Sequence, residues 1–203
     1  MELVDIFASR RSCREYLSEP IPGDALRAVL DAARKGPTAG NTWGLDLIVI
    51  DRPDRYWDVT LPAGSRRDGF RWPGLLAAPL LIIPVVDPSA YTTRYAEPDK
   101  ESTGLGAGPD AWSVPYWWVD AGAAVMAMLL AAADAGLGSL LFGQFGHTES
   151  IASAFAIPEG RLAVGTIALG RPNLAGQVPG RSAARRRPSL DDIVHLNSWS
   201  RGN

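Results

Sequence analysis

The sequence predicts a single mixed α and β domain organised around one long buried helix, and three observations lead there. Residues 117–138, WWVDAGAAVMAMLLAAADAGLG, form the longest apolar run, with no charge, no proline and one glycine between Asp120 and Asp134. Short helix- and strand-patterned segments precede this run, and SLLFGQF follows it directly with the composition of a strand. At 203 residues, 46% of them apolar, the chain can bury a full core, and its length fits one domain rather than two.

The central run is rich in Ala, Met and Leu, which are strong helix formers. Asp120 is expected to cap its start by accepting a free backbone N–H, and Gly136 or Gly138 suits a left-handed stop. Apolar residues fall on every face, so the helix is expected to be buried all round, in the core or against another subunit. A membrane span needs about 20 uninterrupted apolar residues. Asp120 and Asp134 frame a shorter run, so no membrane is expected.

Taken in order, Leu3, Ile6 and Phe7 share one helical face, which predicts a short helix over residues 2–9, and Arg14, Tyr16 and Leu17 then read as extended. The next helix has Pro22 near its start, Leu26, Val29, Leu30 and Ala33 on one face, and Gly36 and Pro37 as its stop. A loop over residues 38–44 leads into a strand at Leu45–Ile50, apolar on both faces except Asp46 and so expected at the centre of a sheet. Residues 52–74 give only weak helical signal, and Pro79 and Pro84 limit a second strand to Leu80–Val86. Residues 87–115 show no period and many turn formers, which predicts a long loop that is a lid, a binding loop or disordered. Its Tyr91, Tyr95 and Trp112, with Tyr116, could then stack on a flat ligand. After the central helix come a strand over residues 139–145, a helix capped by Thr148 with Ile151, Ala154 and Phe155 inward, and a strand over residues 162–169. The tail, residues 173–203, lacks a core pattern until Leu190, Ile193 and Val194, and is expected either to be disordered or to wrap on a partner subunit.

Composition excludes several classes. Twenty Lys+Arg against 22 Asp+Glu leave a formal charge of −2, which does not favour nucleic acid. Cys13 is the only cysteine, so there is no internal disulfide and no Cys-rich metal site; His147 and His195 are too isolated to ligate a metal. The start, MELVDIFASRRS, lacks a signal-peptide core, which makes a cytoplasmic location the expectation. GLGSLLFG at 136–143 has its glycines after a helix and before a strand, the reverse of a dinucleotide fingerprint, and GLGAG at 104–108 lacks a strand ahead of it. No G-x-S-x-G, H-E-x-x-H or G-K-[ST] motif is present.

Arginines cluster nevertheless, at Arg10, Arg11 and Arg14, at Arg66 and Arg67, and at Arg185, Arg186 and Arg187. RRSCR at 10–14 offers three guanidiniums and a hydroxyl, which fits a phosphate monoester because arginine forks bind phosphate oxygens in pairs. A solvated basic turn would read the same way, and ARRRP at 184–188 is open to the same two readings.

Five stretches in order, RRSCREYLSEPIP, GPTAGNTWGLDLIVI, DAGAAVMAMLLAAADAGLGSLLFGQF, LAVGTIALGRP and RRRPSLDDIVH, resemble the FMN-dependent nitroreductase family. The likeness covers most of the chain outside residues 52–115. It implies an α+β fold: a central, mostly antiparallel sheet of four to five strands flanked by helices, with the long central helix at a homodimer interface and two FMN sites built from both chains. It further implies that Arg10, Arg11 and Ser12 hold the FMN phosphate and ribityl chain, that Arg14 reaches the pyrimidine edge, and that Pro37, Thr38 and Asn41 come from the partner. Backbone at Phe142 and Gly143 would meet flavin N5, and Arg186, with Arg185 beside it, would pair with the phosphate. Two departures stand out: Asn41-Thr42-Trp43-Gly44-Leu45 replaces the common Asn-x-Gln-Pro-Trp, and Phe142 stands where the family has a glutamate.

The implied activity is transfer of hydride from NAD(P)H through flavin N5 to a nitroaromatic, quinone or similar electron-poor small molecule, with no side-chain nucleophile. Two alternatives remain open: an FMN-dependent dehydrogenase, oxidase or flavin-consuming enzyme of the same fold, and a dimeric flavin-binding protein without turnover, its substrate face closed by the Trp-rich residues 112–118.

Overall fold

Five strands form one sheet in the computed structural model, which describes residues 2–177, 180 and 184–199. They are β1 (Leu45–Ile50), β2 (Leu80–Val86), β3 (Gly138–Phe142), β4 (Leu162–Ala163) and β5 (Thr166–Gly170). The order is β1-β2-β5-β3, with β4 also on β2, and every pairing is antiparallel. Helices α1 (Leu3–Ser9), α2 (Gly23–Ala32), α3 (Asp54–Thr60), α4 (Ser65–Asp68), α5 (Pro88–Tyr95), α6 (Tyr116–Asp134) and α7 (Thr148–Ala154) flank it. The architecture is the α+β one expected.

Alternation along β2 builds both halves of the core, because successive side chains point to opposite faces. Leu80 and Ile82 join Ile167 and Leu169 of β5 against Val29 of α2 and Val125, Met128 and Ala132 of α6. Leu81, Ile83 and Val85 face the other way, onto Tyr56 and Trp57 of α3 and Ile151 of α7. Pro84 is tolerated in this inner strand because of where β4 stops and β5 begins. Its carbonyl accepts from Val164 N at 2.9 Å, in the gap between those strands. The N of a strand residue points to the same side as its carbonyl, so the bond that proline cannot donate falls opposite Val164, where the pairing with β4 ends at Val85 and Ala163.

Several expectations are corrected. β1 lies at the sheet edge, not the centre. Its apolar pattern arises because both faces are covered, Leu47 by the α2/α6 layer and Ile48 by the α3 side. Asp120 is not a helix cap: α6 begins four residues earlier, after Pro115, and Asp120 sits buried on its inner side. Residues 87–115 are not an aperiodic loop. Asp87 caps α5 by accepting from Ser89 N at 3.0 Å, Pro88 takes the first turn, and three 3₁₀ turns follow. Tyr91, Trp112 and Trp117 pack edge to face, at 6.0 Å for Tyr91 on each tryptophan, so two of the rings expected to stack on a ligand are core.

Gly136 is the glycine that stops α6, at φ 69°, with Leu137 N on Ala132 O and Gly136 N on Ala133 O. Burial all round is not achieved within one chain. Trp118, Val119 and Met126 of α6 and Leu3, Val4 and Phe7 of α1 are exposed, and these two helices touch. Among the described residues α6 alone is long and apolar enough to cross a membrane; here it packs on α2, β2 and β3. His147 rather than Thr148 is the N-cap of α7, and the strand expected over residues 162–169 is split into β4 and β5.

Buried tyrosines set an alkaline limit on this fold. Burial raises the hydroxyls of Tyr16 and Tyr91 far above the usual range and that of Tyr56 from 10.0 to about 12. In the unfolded chain they ionise at the ordinary value, so stability is intact below pH about 10 and is lost as pH rises through about 12. Urea midpoints should therefore be flat from neutral pH to about 9 and fall steeply above about 10. Phenolate absorbance of these three should appear only with unfolding.

Candidate functional site

The arginine-rich stretch lies on the open edge of β3. Helix α1 ends as Arg10 N donates to Ile6 O at 2.9 Å, and the chain then runs extended. Ser12 bridges Ser139 in parallel and Cys13 N donates to Ser139 O at 3.0 Å. Tyr16 is buried, its hydroxyl within reach of Cys13 O at 3.1 Å and Ala168 O at 3.2 Å. With Cys13 and Tyr16 held inward, Arg11 and Ser12 are left exposed. Neither Arg10 nor Arg11 has a carboxylate partner among the described residues; Arg11 Nη1 donates only to Arg10 O. Arg14 is half-buried, its guanidinium 5.1 Å from the centre of the Trp72 ring, and Nη1 donates to Ser12 O at 3.3 Å. The tail begins on its own chain: Gln177 Nε2 donates to Glu15 O at 2.9 Å, and Gly180 passes against the Arg14 guanidinium.

The far end of β3 carries Phe142 and Gly143. The Phe142 ring turns into the core, stacked 6.0 Å from Trp57, an environment that suits an aromatic side chain. Gly143 is exposed. Behind it Gln144 is buried and donates through Nε2 to Gly165 O at 3.3 Å and Thr166 Oγ1 at 3.1 Å, while Thr166 Oγ1 also bonds Tyr56 OH at 2.9 Å. Sequence reasoning missed this network, although a glutamine inside the apolar run SLLFGQF was the signal, since a buried amide needs partners. Thr166→Val keeps the shape, leaves the Tyr56 hydroxyl without its partner and takes one of two acceptors from Gln144 Nε2, so it should cost about 1–3 kcal/mol in urea unfolding. A loss below about 0.5 kcal/mol would show the network to be energetically idle.

The second group of expected residues sits on a different wall. Ala39 N and Tyr91 OH both donate to Asp120 Oδ2, at 2.8 and 2.9 Å, and Arg94 Nε donates to Gly40 O at 2.9 Å. Arg94 is itself clamped by Asp99 through both terminal nitrogens, at 2.7 and 2.8 Å. Gly40 and Asn41 are consecutive left-handed residues, φ 63° and 55°, which swing Asn41 and Trp43 outward. Pro37 and Thr38 line a cavity of about 210 Å³ under this loop, with Leu30, Leu47 and Asp120. No hydrogen bond or ion pair joins this loop to residues 10–14 among the described residues. Arg185 and Arg186 are exposed, without an ion pair among the described residues, and so are Leu190, Ile193, Val194 and Trp199. The remainder of the expected arm, residues 178–179, 181–183 and 200–203, lies outside the described residues.

The site thus consists of an antiparallel sheet with a long apolar helix on one face and, beside its edge strand β3, two arginines without a carboxylate partner among the described residues. Compared with known families, residues 7–171 match the model of the Nitroreductase family, and the chain belongs to that family. A protein of Methanothermobacter thermautotrophicus named for NADH dehydrogenase/NAD(P)H nitroreductase activity is 27% identical over 206 residues, covering 98% of this chain and 88% of that one. Among solved structures, a nitroreductase family protein from Clostridium difficile has a TM-score of 0.70 at 24% identity, covering 98% of this chain and 100% of its own. A nitroreductase with bound FMN from Bacteroides fragilis has a TM-score of 0.67 at 19% identity, covering 97% and 99%. These structures establish the fold.

Proposed function

We propose that this chain is an FMN-dependent oxidoreductase that works as a homodimer, drawing reducing equivalents from NAD(P)H and delivering them to a nitroaromatic, a quinone or a similar electron-poor small molecule. The observation that carries the reading is the placement of two uncompensated guanidiniums, Arg10 and Arg11, at one end of β3 and of Gly143 just past the other, within the family match. Ser12 pairs with Ser139, three residues before Phe142, which is about 10 Å at 3.3 Å per residue. That spacing suits a terminal phosphate at the first end and a flat ring at the second.

Bound FMN supplies the electron transfer between donor and acceptor; the chain supplies binding, orientation and charge. Arg10 and Arg11 fork onto phosphate oxygens, and the Ser12 hydroxyl donates beside them. Arg14, braced by Trp72 and the Ser12 carbonyl, holds a fixed cation near the pyrimidine edge, where it favours negative charge. The exposed backbone of Gly143 lets the ring come close, and backbone at Phe142 borders it. Pro37, Thr38 and Asn41 are supplied by the second chain, consistent with their separation from residues 10–14 within one chain. Arg186 and Arg185 reach the phosphate from the tail, whose exposed Leu190, Ile193 and Trp199 clasp the second chain. The exposed apolar faces of α1 and α6 form the rest of that contact.

The test is the visible spectrum of the purified protein before and after anaerobic NADPH. A yellow protein that bleaches promptly and releases FMN on denaturation supports the reading. Released FAD, or no flavin after reconstitution, contradicts the cofactor assignment; slow or absent bleaching of bound FMN contradicts the reductase.

A further inference from the structure

We infer that Phe145 is a specificity-determining residue: a platform just beyond β3 on which the flat ring of an electron-poor aromatic acceptor stacks, beside Gly143. The inference rests on the cofactor reading above and deepens it. Phe145 adopts φ 42°, a left-handed backbone that bulky side chains seldom occupy. Its side chain is 88% exposed, the most exposed large hydrophobic among the described residues. The chain thus holds a strained backbone at a residue whose ring it does not bury. Such a combination persists where a function requires it.

Local geometry says what the ring faces. A Cβ built on Gly143 would meet Phe145 Cζ at 2.9 Å and Cε2 at 3.1 Å, so the ring lies close over the bare Cα of Gly143 and a side chain there would push it aside. The turn is fixed from below, because the Gln144 side chain is tied down to Gly165 O and Thr166 Oγ1. Phe142 and Phe155, near it in sequence, put their rings into the aromatic core with Tyr56; Phe145 has no aromatic neighbour among the described residues. An electron-rich face held at the rim of the proposed flavin edge pairs in offset stacking with an electron-poor arene. Inorganic acceptors gain nothing from it.

The experiment compares FMN-loaded parent, Phe145→Ala, Phe145→Trp and Phe145→Gly. 4-Nitrobenzoate is titrated without reductant and followed by the visible spectrum of the bound flavin, alongside FMN affinity, ferricyanide reduction and the thermal midpoint of each flavin-free protein. The alanine variant should bind 4-nitrobenzoate about three- to tenfold more weakly, and the tryptophan variant should restore binding. FMN affinity and ferricyanide reduction should stay at parent level. The glycine variant should lose the arene as alanine does, yet melt at a higher temperature because the left-handed strain is relieved. Unchanged 4-nitrobenzoate affinity in the alanine variant overturns the inference. So does a lower melting temperature or a dissociated dimer in the glycine variant, which would make the ring a contact of the fold or of the second copy. A parent that holds no FMN overturns the cofactor reading and this inference together; a parent that holds FMN confines any failure to Phe145.

Discussion

Asp120→Ala is expected to lose about 3–5 kcal/mol of folding stability, because one buried carboxylate oxygen accepts two hydrogen bonds and each donor left without a partner costs about 1–3 kcal/mol. Those bonds come from Ala39 N and Tyr91 OH, and alanine leaves both donors under the surface without a partner. The damage is not confined to stability. Ala39 opens the turn that presents Thr38 and Asn41, and Tyr91 is the hinge between that turn and the tryptophan cluster. Asp120→Asn keeps an acceptor oxygen but not the charge, so it should fall between parent and alanine. Urea unfolding of the three proteins at neutral pH checks this order; an alanine variant within about 1 kcal/mol of the parent would mean that the turn is held by Arg94 alone.

Arg10→Ala should weaken FMN binding by about 1.5–3 kcal/mol, which is roughly 10- to 150-fold in Kd. The reason is the absence of any carboxylate near this guanidinium among the described residues, so its charge is available to an anion and its removal relieves nothing within the chain. Arg10→Lys should recover part of the loss, since it keeps the charge but not the fork. Folding stability should barely change, because Arg10 is a half-exposed residue past the end of α1. Flavin fluorescence titration of the flavin-free protein measures the effect. Equal affinity in parent and alanine variant would return Arg10 to a solvated turn.

What could be read from the sequence was local. β2 has the expected bounds, starting just after Pro79 and running through Pro84 to Val86, α2 buries the face its spacing marked, and Gly136 stops α6 as a glycine in that place should. The misses were long-range or masked by composition. β1 is apolar on both faces because layers cover both, and periodicity alone does not distinguish that from a central strand. α5 escaped notice because PSAYTTRY is mostly polar, although Asp87-Pro88 is a serviceable start signal. Asp120 looked like a cap because it opens the uncharged stretch; its partners lie 81 and 29 residues away in sequence. The cations of the site were legible as cations, while their position on β3 depends on the Ser12–Ser139 bridge, which no local pattern encodes. Phe145 carries no sequence signal at all: only the backbone angle and the exposed ring single it out.

The central claim is a flavin site completed by a second chain, with Arg10, Arg11 and Ser12 from one copy and Pro37, Thr38 and Asn41 from the other. Sedimentation of the FMN-loaded protein at low micromolar concentration, followed by flavin absorbance, tests it most directly. The account predicts that all protein-bound colour sediments at twice 21.7 kDa, with one FMN per chain, and that FMN strengthens the dimer by mass action. A folded, flavin-loaded species at 21.7 kDa would contradict it.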